Sequence, residues 1–157
     1  LKENPDCQIE VVCLENDLEI IKKIGEVDPP IKNYHLIKRL FQENNQAIQD
    51  KRDLVYHKGN IKITILMGDA RERIKELNPD HFDAVFMDPF SPKTAPEMWT
   101  KDFFKDIFQV IKQNRVLATY TCARLARDNM KEAGFMYDDG PIVGRRGPGT
   151  IATKWVF

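Results

Sequence analysis

The sequence predicts an α/β fold built on a mostly parallel sheet with helices on both faces. Two observations predict it. Apolar, β-branched runs alternate with stretches whose apolar residues recur at helical spacing. Three of those runs, residues 9–15, 61–69 and 82–88, end at an acid: Glu15, Asp69 and Asp88. A third observation qualifies the picture. The last two predicted strands have no helix between them, so the final strand is expected to run antiparallel at one edge.

"IEVVCLE" (9–15) is continuously apolar up to Glu15, as a strand buried on both faces should be. Asp17 is a good cap for the helix that follows, with Leu18, Ile20, Ile21 and Ile24 facing inward and Gly25 near its end. Pro29-Pro30 breaks the chain, and a second helical stretch covers 34–52 with Leu36, Ile37, Leu40 and Phe41 at helical spacing. "IKITILMGD" (61–69) is the second strand, "ARERIKELN" a short helix, and "FDAVFMD" (82–88) the third strand. Thr100 caps a helix whose Phe103, Phe104, Ile107, Phe108 and Ile111 form one wide apolar stripe. "RVLATYT" (115–121) is a strand, and Thr121 caps "CARLARDNMKEAG", with Gly134 as a left-handed stop. "FMYDD" and "TIATKWVF" are the last strands, joined through "GPIVGRRGPGT". The whole, residues 1–157, reads as one partial domain with a helical insertion at about 29–58.

Bulk properties narrow the class. The chain has 157 residues, 42% hydrophobic and 31% charged, enough for one real core. Its 24 basic and 24 acidic side chains cancel, so global charge gives no support to a nucleic-acid partner, though a local patch is compatible with it. Cys7, Cys13 and Cys122 form no CxxC pair and leave an odd count, which favours a reduced, cytoplasmic setting over a disulfide framework. His35, His57 and His81 are scattered without ligand spacing, so no metal site is expected. No apolar run approaches the roughly 18 residues a membrane helix requires.

In open parallel sheets, ligands bind beyond the carboxyl ends of the strands. An acid there either caps the next helix or serves a ligand, but three successive acids are expected to line one crevice. Glu15 is placed to accept hydrogen bonds from a ribose diol. Asp69 can accept the exocyclic amine of an adenine while the backbone at Ala70 meets a ring nitrogen. S-adenosylmethionine needs both contacts. Asp88-Pro89-Phe90 adds a carboxylate, a rigid turn and an aromatic ring. An amine acceptor needs its N–H bonds held so that the lone pair lines up with a sulfonium methyl group, so Asp88 and Phe90 are the catalytic candidates. Phe90 otherwise belongs to the core. Met98 and Trp99 either close the pocket as a lid or pack the loop onto the sheet. "GRRGPGT" does not sit between a strand and a helix, so it is a hairpin turn rather than a phosphate loop. Arg145 and Arg146 in it either touch RNA phosphates or are solvated.

"FDAVFMDPFSPKTAPEMWT", "VLATYTCARLARDNMKEAGF" and "GRRGPGT" together resemble the methyltransferase domain of the bacterial family that modifies the tRNA wobble uridine. The matching residues are Asp88, Phe90, Pro92, the Pro96–Thr100 loop and Leu117–Thr121. The resemblance, over residues 9–153, implies a Rossmann-like class I S-adenosylmethionine-dependent methyltransferase sheet. It implies methyl transfer to the aminomethyl amine of a 2-thiouridine in tRNA, with no membrane partner. By the same likeness Asp88 sits by the acceptor amine and by the cofactor, and Glu15, Asp69 and Ala70 hold the cofactor. Pro89, Met98, Trp99 and Tyr120 shape the substrate pocket. The acidic-x-Gly-x-Gly-x-Gly loop that follows a first strand in that family has no counterpart upstream of residue 9, so the sheet is expected to lack its first strand, and this chain by itself to bind the cofactor poorly. By the same likeness the chain is expected to be of the stand-alone type, without a fused flavin-dependent oxidase portion, and N-terminally shortened. The alternatives are an aminopropyltransferase of the polyamine-synthase type, which usually carries a second acid just beyond the first, and a non-catalytic RNA-binding remnant.

Overall fold

The computed structural model describes residues 6–142, 144 and 147–155. The chain divides into two compact units, residues 1–73 and 74–157.

The first unit holds strands β1 (Ile9–Glu15), β2 (Leu54–Lys58) and β3 (Ile61–Met67) and helices α1 (Leu18–Glu26), α2 (Tyr34–Glu43), α3 (Asn45–Gln49) and α4 (Ala70–Arg73). Strand order is β1-β3-β2, with β1 parallel and β2 antiparallel to β3. Asp17 caps α1 as expected, its carboxylate accepting from the Glu19 and Ile20 amides. The helices bury Ile21, Leu40, Phe41 and Ile48 against Leu54, Tyr56, Ile63 and Ile65. Each such aliphatic side chain contributes about 1.5–3 kcal/mol by leaving water.

Two expectations fail here. The stretch 34–52 is not one helix: it breaks at Asn44, whose side chain leaves the helical path to bond the Leu40 and Val55 carbonyls and the Val55 amide. That pins a strand, β2, which the sequence reading did not find. Gly59, at φ +56°, turns β2 back into β3.

The second unit holds β4 (Phe82–Met87), α5 (Lys101–Val110), β5 (Ile111–Thr119), α6 (Arg124–Glu132), β6 (Phe135–Asp139) and β7 (Thr150–Lys154). Strand order is β4-β5-β7-β6. β4 and β5 are parallel, and β7 runs antiparallel to both β5 and β6. The last strand is therefore antiparallel, but it lies inside the sheet with β6 at the edge. Chain order could not reveal which slot it takes. Phe103, Phe104, Ile107 and Val110 of α5 are buried, and Ile111, read as the end of that helical stripe, begins β5 instead. Gly134 ends the α6 region at φ +107°, as expected. Thr121 is not the cap of α6. Its hydroxyl accepts from the Ala123 amide, one turn ahead of the helix. β1 and β4 each stand at the edge of their sheet, and among the described residues no strand pairs with their outer sides.

Candidate active site

β4 and β5 run parallel, with Met87 opposite Thr119, so Asp88 and Tyr120 emerge side by side just beyond the ends of two neighbouring strands. The turn that carries Asp88 is tied down by its carbonyls. The Tyr120 hydroxyl donates to the Pro89 carbonyl at 2.9 Å, and Trp99 Nε1 donates to the Phe90 carbonyl at 2.8 Å. Ser91 and Thr94 close the following loop through their hydroxyls, 3.0 Å apart. Among the described residues no hydrogen bond or ion pair occupies the Asp88 carboxylate, which is exposed.

Trp99 is fully buried, 0% exposed, so it packs the loop onto the sheet and is no lid. It meets Tyr120 edge-on at 5.9 Å and Phe104 at 6.4 Å, and Asn129 of α6 donates to its carbonyl at 2.7 Å. Trp99 therefore shapes the pocket only through the turn it holds. Met98 is half-buried beside it. Phe90 is 71% exposed, which excludes the core role, and its backbone carbonyl is held by Trp99.

A groove of about 430 Å³ opens in front of Asp88 and Tyr120. Its floor is a cross-strand row, Phe86, Ala118 and Ile151, in register on β4, β5 and β7. Gly140, Pro141 and Gly149 form a further wall. The arrangement is one carboxylate at the head of an apolar trough, which suits a flat ring bearing a polar group at one end. Phe86 and Asp88 lie on the same face of the strand because side chains alternate with period two. That signal was available in "FMD" and was not used. The loop wall had no such signal, since its place follows from the slot β7 takes. Arg145 and Arg146 lie outside the described residues.

In the first unit, Glu15 ends β1 opposite Met67, and Asp69 lies two residues beyond the end of the parallel neighbour β3, so both stand at one sheet edge. One Glu15 oxygen, Oε1, accepts from the Asn16 and Asp17 amides at 2.8 Å each. This fixes the carboxylate and leaves Oε2 without a partner among the described residues. Asp69 behaves as the helix cap: it accepts from the Arg71 amide at 2.9 Å and is gripped by the Arg71 guanidinium. Ala70, first in α4, has an amide for which the helix supplies no acceptor.

Fold and site together define a Rossmann-like α/β protein of the class I methyltransferase type. The family model described as S-adenosyl-L-methionine-dependent methyltransferase matches residues 32–155, and the chain belongs to that family. It is 34% identical over 105 residues, 65% of its length, to a tRNA 5-methylaminomethyl-2-thiouridine biosynthesis bifunctional protein of Ralstonia nicotianae, of which it covers 16%. It is 32% identical over 128 residues, 82% of its length, to an uncharacterized protein of Methanocaldococcus jannaschii, of which it covers 35%. The crystal structure of MNMC2 from Aquifex aeolicus superposes with a TM-score of 0.75 at 29% identity, over 97% of this chain and 46% of that one. The chain thus spans less than half the length of each of these proteins. No helix among the described residues is long and apolar enough to cross a membrane.

Proposed function

We propose that this chain carries the acceptor half and part of the donor half of a tRNA methyltransferase, which methylates the aminomethyl amine of a modified wobble uridine. One observation carries the reading: a carboxylate without a partner among the described residues, Asp88, stands on a turn locked by Tyr120 and Trp99 at the head of an apolar groove. The relatives named above support the substrate class.

When bound, S-adenosylmethionine supplies a methyl group already activated on a sulfonium. The residues present fit it in part. The second oxygen of Glu15 is held ready for a ribose diol, and the Ala70 amide can meet an adenine ring nitrogen. Asp69 has to share its carboxylate between Arg71 and the exocyclic amine. Asp88 accepts hydrogen bonds from the acceptor N–H groups and so directs the nitrogen lone pair. With the donor bound, the Asp88 carboxylate would stabilise the positive charge that the acceptor nitrogen gains on methylation, until its proton passes to solvent. Phe90 and the Phe86 row exclude water from one side of the ring.

Asp88→Ala, in the protein as the cell makes it, should lower single-turnover methylation about a hundredfold, or ~3 kcal/mol, while the dissociation constant of the donor changes little. Glu15→Ala should do the reverse. Near-normal turnover in Asp88→Ala would overturn the acceptor assignment. Transfer of an aminopropyl group to a polyamine, with none of methyl to tRNA, would put the chain with the aminopropyltransferases.

A further inference from the structure

The loop wall of the groove needs its own account. Residues 140–149 join β6 to β7, two antiparallel strands, and their ends close on each other: the Gly140 amide donates to the Gly149 carbonyl at 3.0 Å. Four of these residues, Gly140, Pro141, Gly147 and Gly149, line the groove that Asp88 also lines. Gly149 runs so close to β5 that a Cβ on it would sit 2.7 Å from the Thr119 carbonyl oxygen. The loop is therefore pressed against the strand whose next residue is Tyr120.

One side chain from outside the loop grips both of its ends. Arg127 of α6 donates from Nε to the Thr150 hydroxyl at 2.9 Å and from Nη2 to the Gly149 carbonyl at 3.1 Å. The same nitrogen meets the carboxylate of Asp139, the last residue of β6, at 2.6 Å. The guanidinium carbon lies 5.3 Å from the centroid of the Tyr137 ring. The Thr150 hydroxyl passes the restraint on, donating to the Thr121 carbonyl at 2.6 Å. Two nitrogens of one guanidinium thus serve three acceptors, which suits a rigid fork of donors and not a single ammonium. β6 and β7 are paired along five residues without any help from Arg127. The contacts of Arg127 with them fall at the groove end of that ladder, where they fix the loop.

We propose that Arg127 is a positioning residue for the acceptor: it holds Gly140, Pro141 and Gly149, at the two ends of the β6–β7 connection, as a wall of the groove that Asp88 heads. This rests on the methyltransferase reading above. Arg127 touches neither reacting group, so its loss loosens the seat of the acceptor base and leaves donor binding alone.

The test compares Arg127→Ala, Arg127→Lys and Asp139→Asn in the protein as the cell makes it, with amide hydrogen exchange, donor titration and steady-state methylation of tRNA. In Arg127→Ala the Gly140 and Gly149 amides should exchange faster, while amides in α5 should not. The KM for tRNA should rise about tenfold, equivalent to ~1.4 kcal/mol, with kcat within a factor of about two and donor affinity unchanged. Lysine should not restore KM, and Asp139→Asn should raise it about threefold. A uniform rise in exchange across the second unit would mean a merely structural role and overturn the proposal. So would faster loop exchange with unchanged KM. Should Arg127→Ala fail to fold, Asp139→Asn decides: an unchanged KM there overturns the proposal. Faster loop exchange in a protein whose parent form methylates no tRNA would keep Arg127 as the loop's anchor and remove the function assigned to the groove, so the two failures are distinguishable.

Discussion

The two units fix their strand-end chemistry in opposite ways. In the first, the acids are held by their own neighbours: Glu15 by the next two amides, and Asp69 by Arg71 two residues on. In the second, backbone carbonyls are held by side chains from far along the chain. Tyr120 reaches Pro89 across 31 residues, Asn129 reaches Trp99 across 30, and Arg127 reaches Gly149 across 22. A local bond closes almost no loop and forms whenever a short segment is ordered. A long-range bond exists only where the sheet and helices are already packed. The carboxylates of the first unit are thus set by a handful of residues, and the Asp88 turn is set by the packing of its whole unit.

Trp99→Ala should break the second kind most severely. It removes a fully buried indole from between Tyr120 and Phe104 and frees the Phe90 carbonyl. Deletions of this kind cost about 3–5 kcal/mol, read as a lower urea midpoint. Glu15→Ala, judged by the same measurement, should stay within about 0.5 kcal/mol. A Trp99→Ala loss under about 1 kcal/mol would mean that the turn stands without the core beneath it.

The same contrast explains what the sequence made legible. Asp88 could be read because the signal is contiguous: an apolar strand, an acid, then a proline. Most strands of the fold could be read for a like reason, as apolar, β-branched runs. The burial on both faces expected of 9–15 is not found: β1 has no buried residue, and β4 buries only Met87. β2 could not. Leu54 and Tyr56 alternate over only five residues, and the strand is held by its antiparallel ladder to β3 and by Asn44, which bonds Val55 eleven residues on. Arg127 is one of several cations on a polar helix, and nothing near it in the chain hints at Gly149 or Thr150. The position of β7 between β5 and β6 was hidden similarly, because pairing is decided across the sheet. Contacts within a segment were legible, and those that tertiary structure assembles were not.

A finer test of the long-range tethers is Tyr120→Phe. The ring stays packed on Trp99 and only the hydroxyl to the Pro89 carbonyl goes. The expected stability loss is about 1 kcal/mol, that of one ordinary hydrogen bond. Methylation should fall more than that figure suggests, by up to about tenfold in kcat, because a looser turn misplaces Asp88. Unchanged kcat beside the expected stability loss would show that the Trp99 tether alone positions the carboxylate.

The smallest effect belongs to a contact that is long-range but exposed. Asp83 on β4 pairs with Lys112 at 2.8 Å and Arg115 at 3.1 Å, the first of these across 29 residues. The hydrogen bond from Lys112, reinforced by the charges of Lys112 and Arg115, holds its carboxyl below the usual carboxylate range, even though a small loss of hydration pushes the other way. A carboxyl lowered in the folded state stabilises that state above its unfolded value, about 3.9 for Asp. The contribution fades as pH falls through the lower, folded value. Asp83→Asn should therefore lower the urea midpoint slightly at neutral pH and low salt, and the difference should close both in acid and at high salt. A difference that persists unchanged at pH 2 would have to come from strand packing and not from charge. If instead the neutral-pH loss matched that of Trp99→Ala, sequence separation by itself would set the weight of a contact. The expectation here is that burial sets it: Trp99 matters most because its contacts are long-range and it is removed from water, and the half-buried Tyr120 matters less.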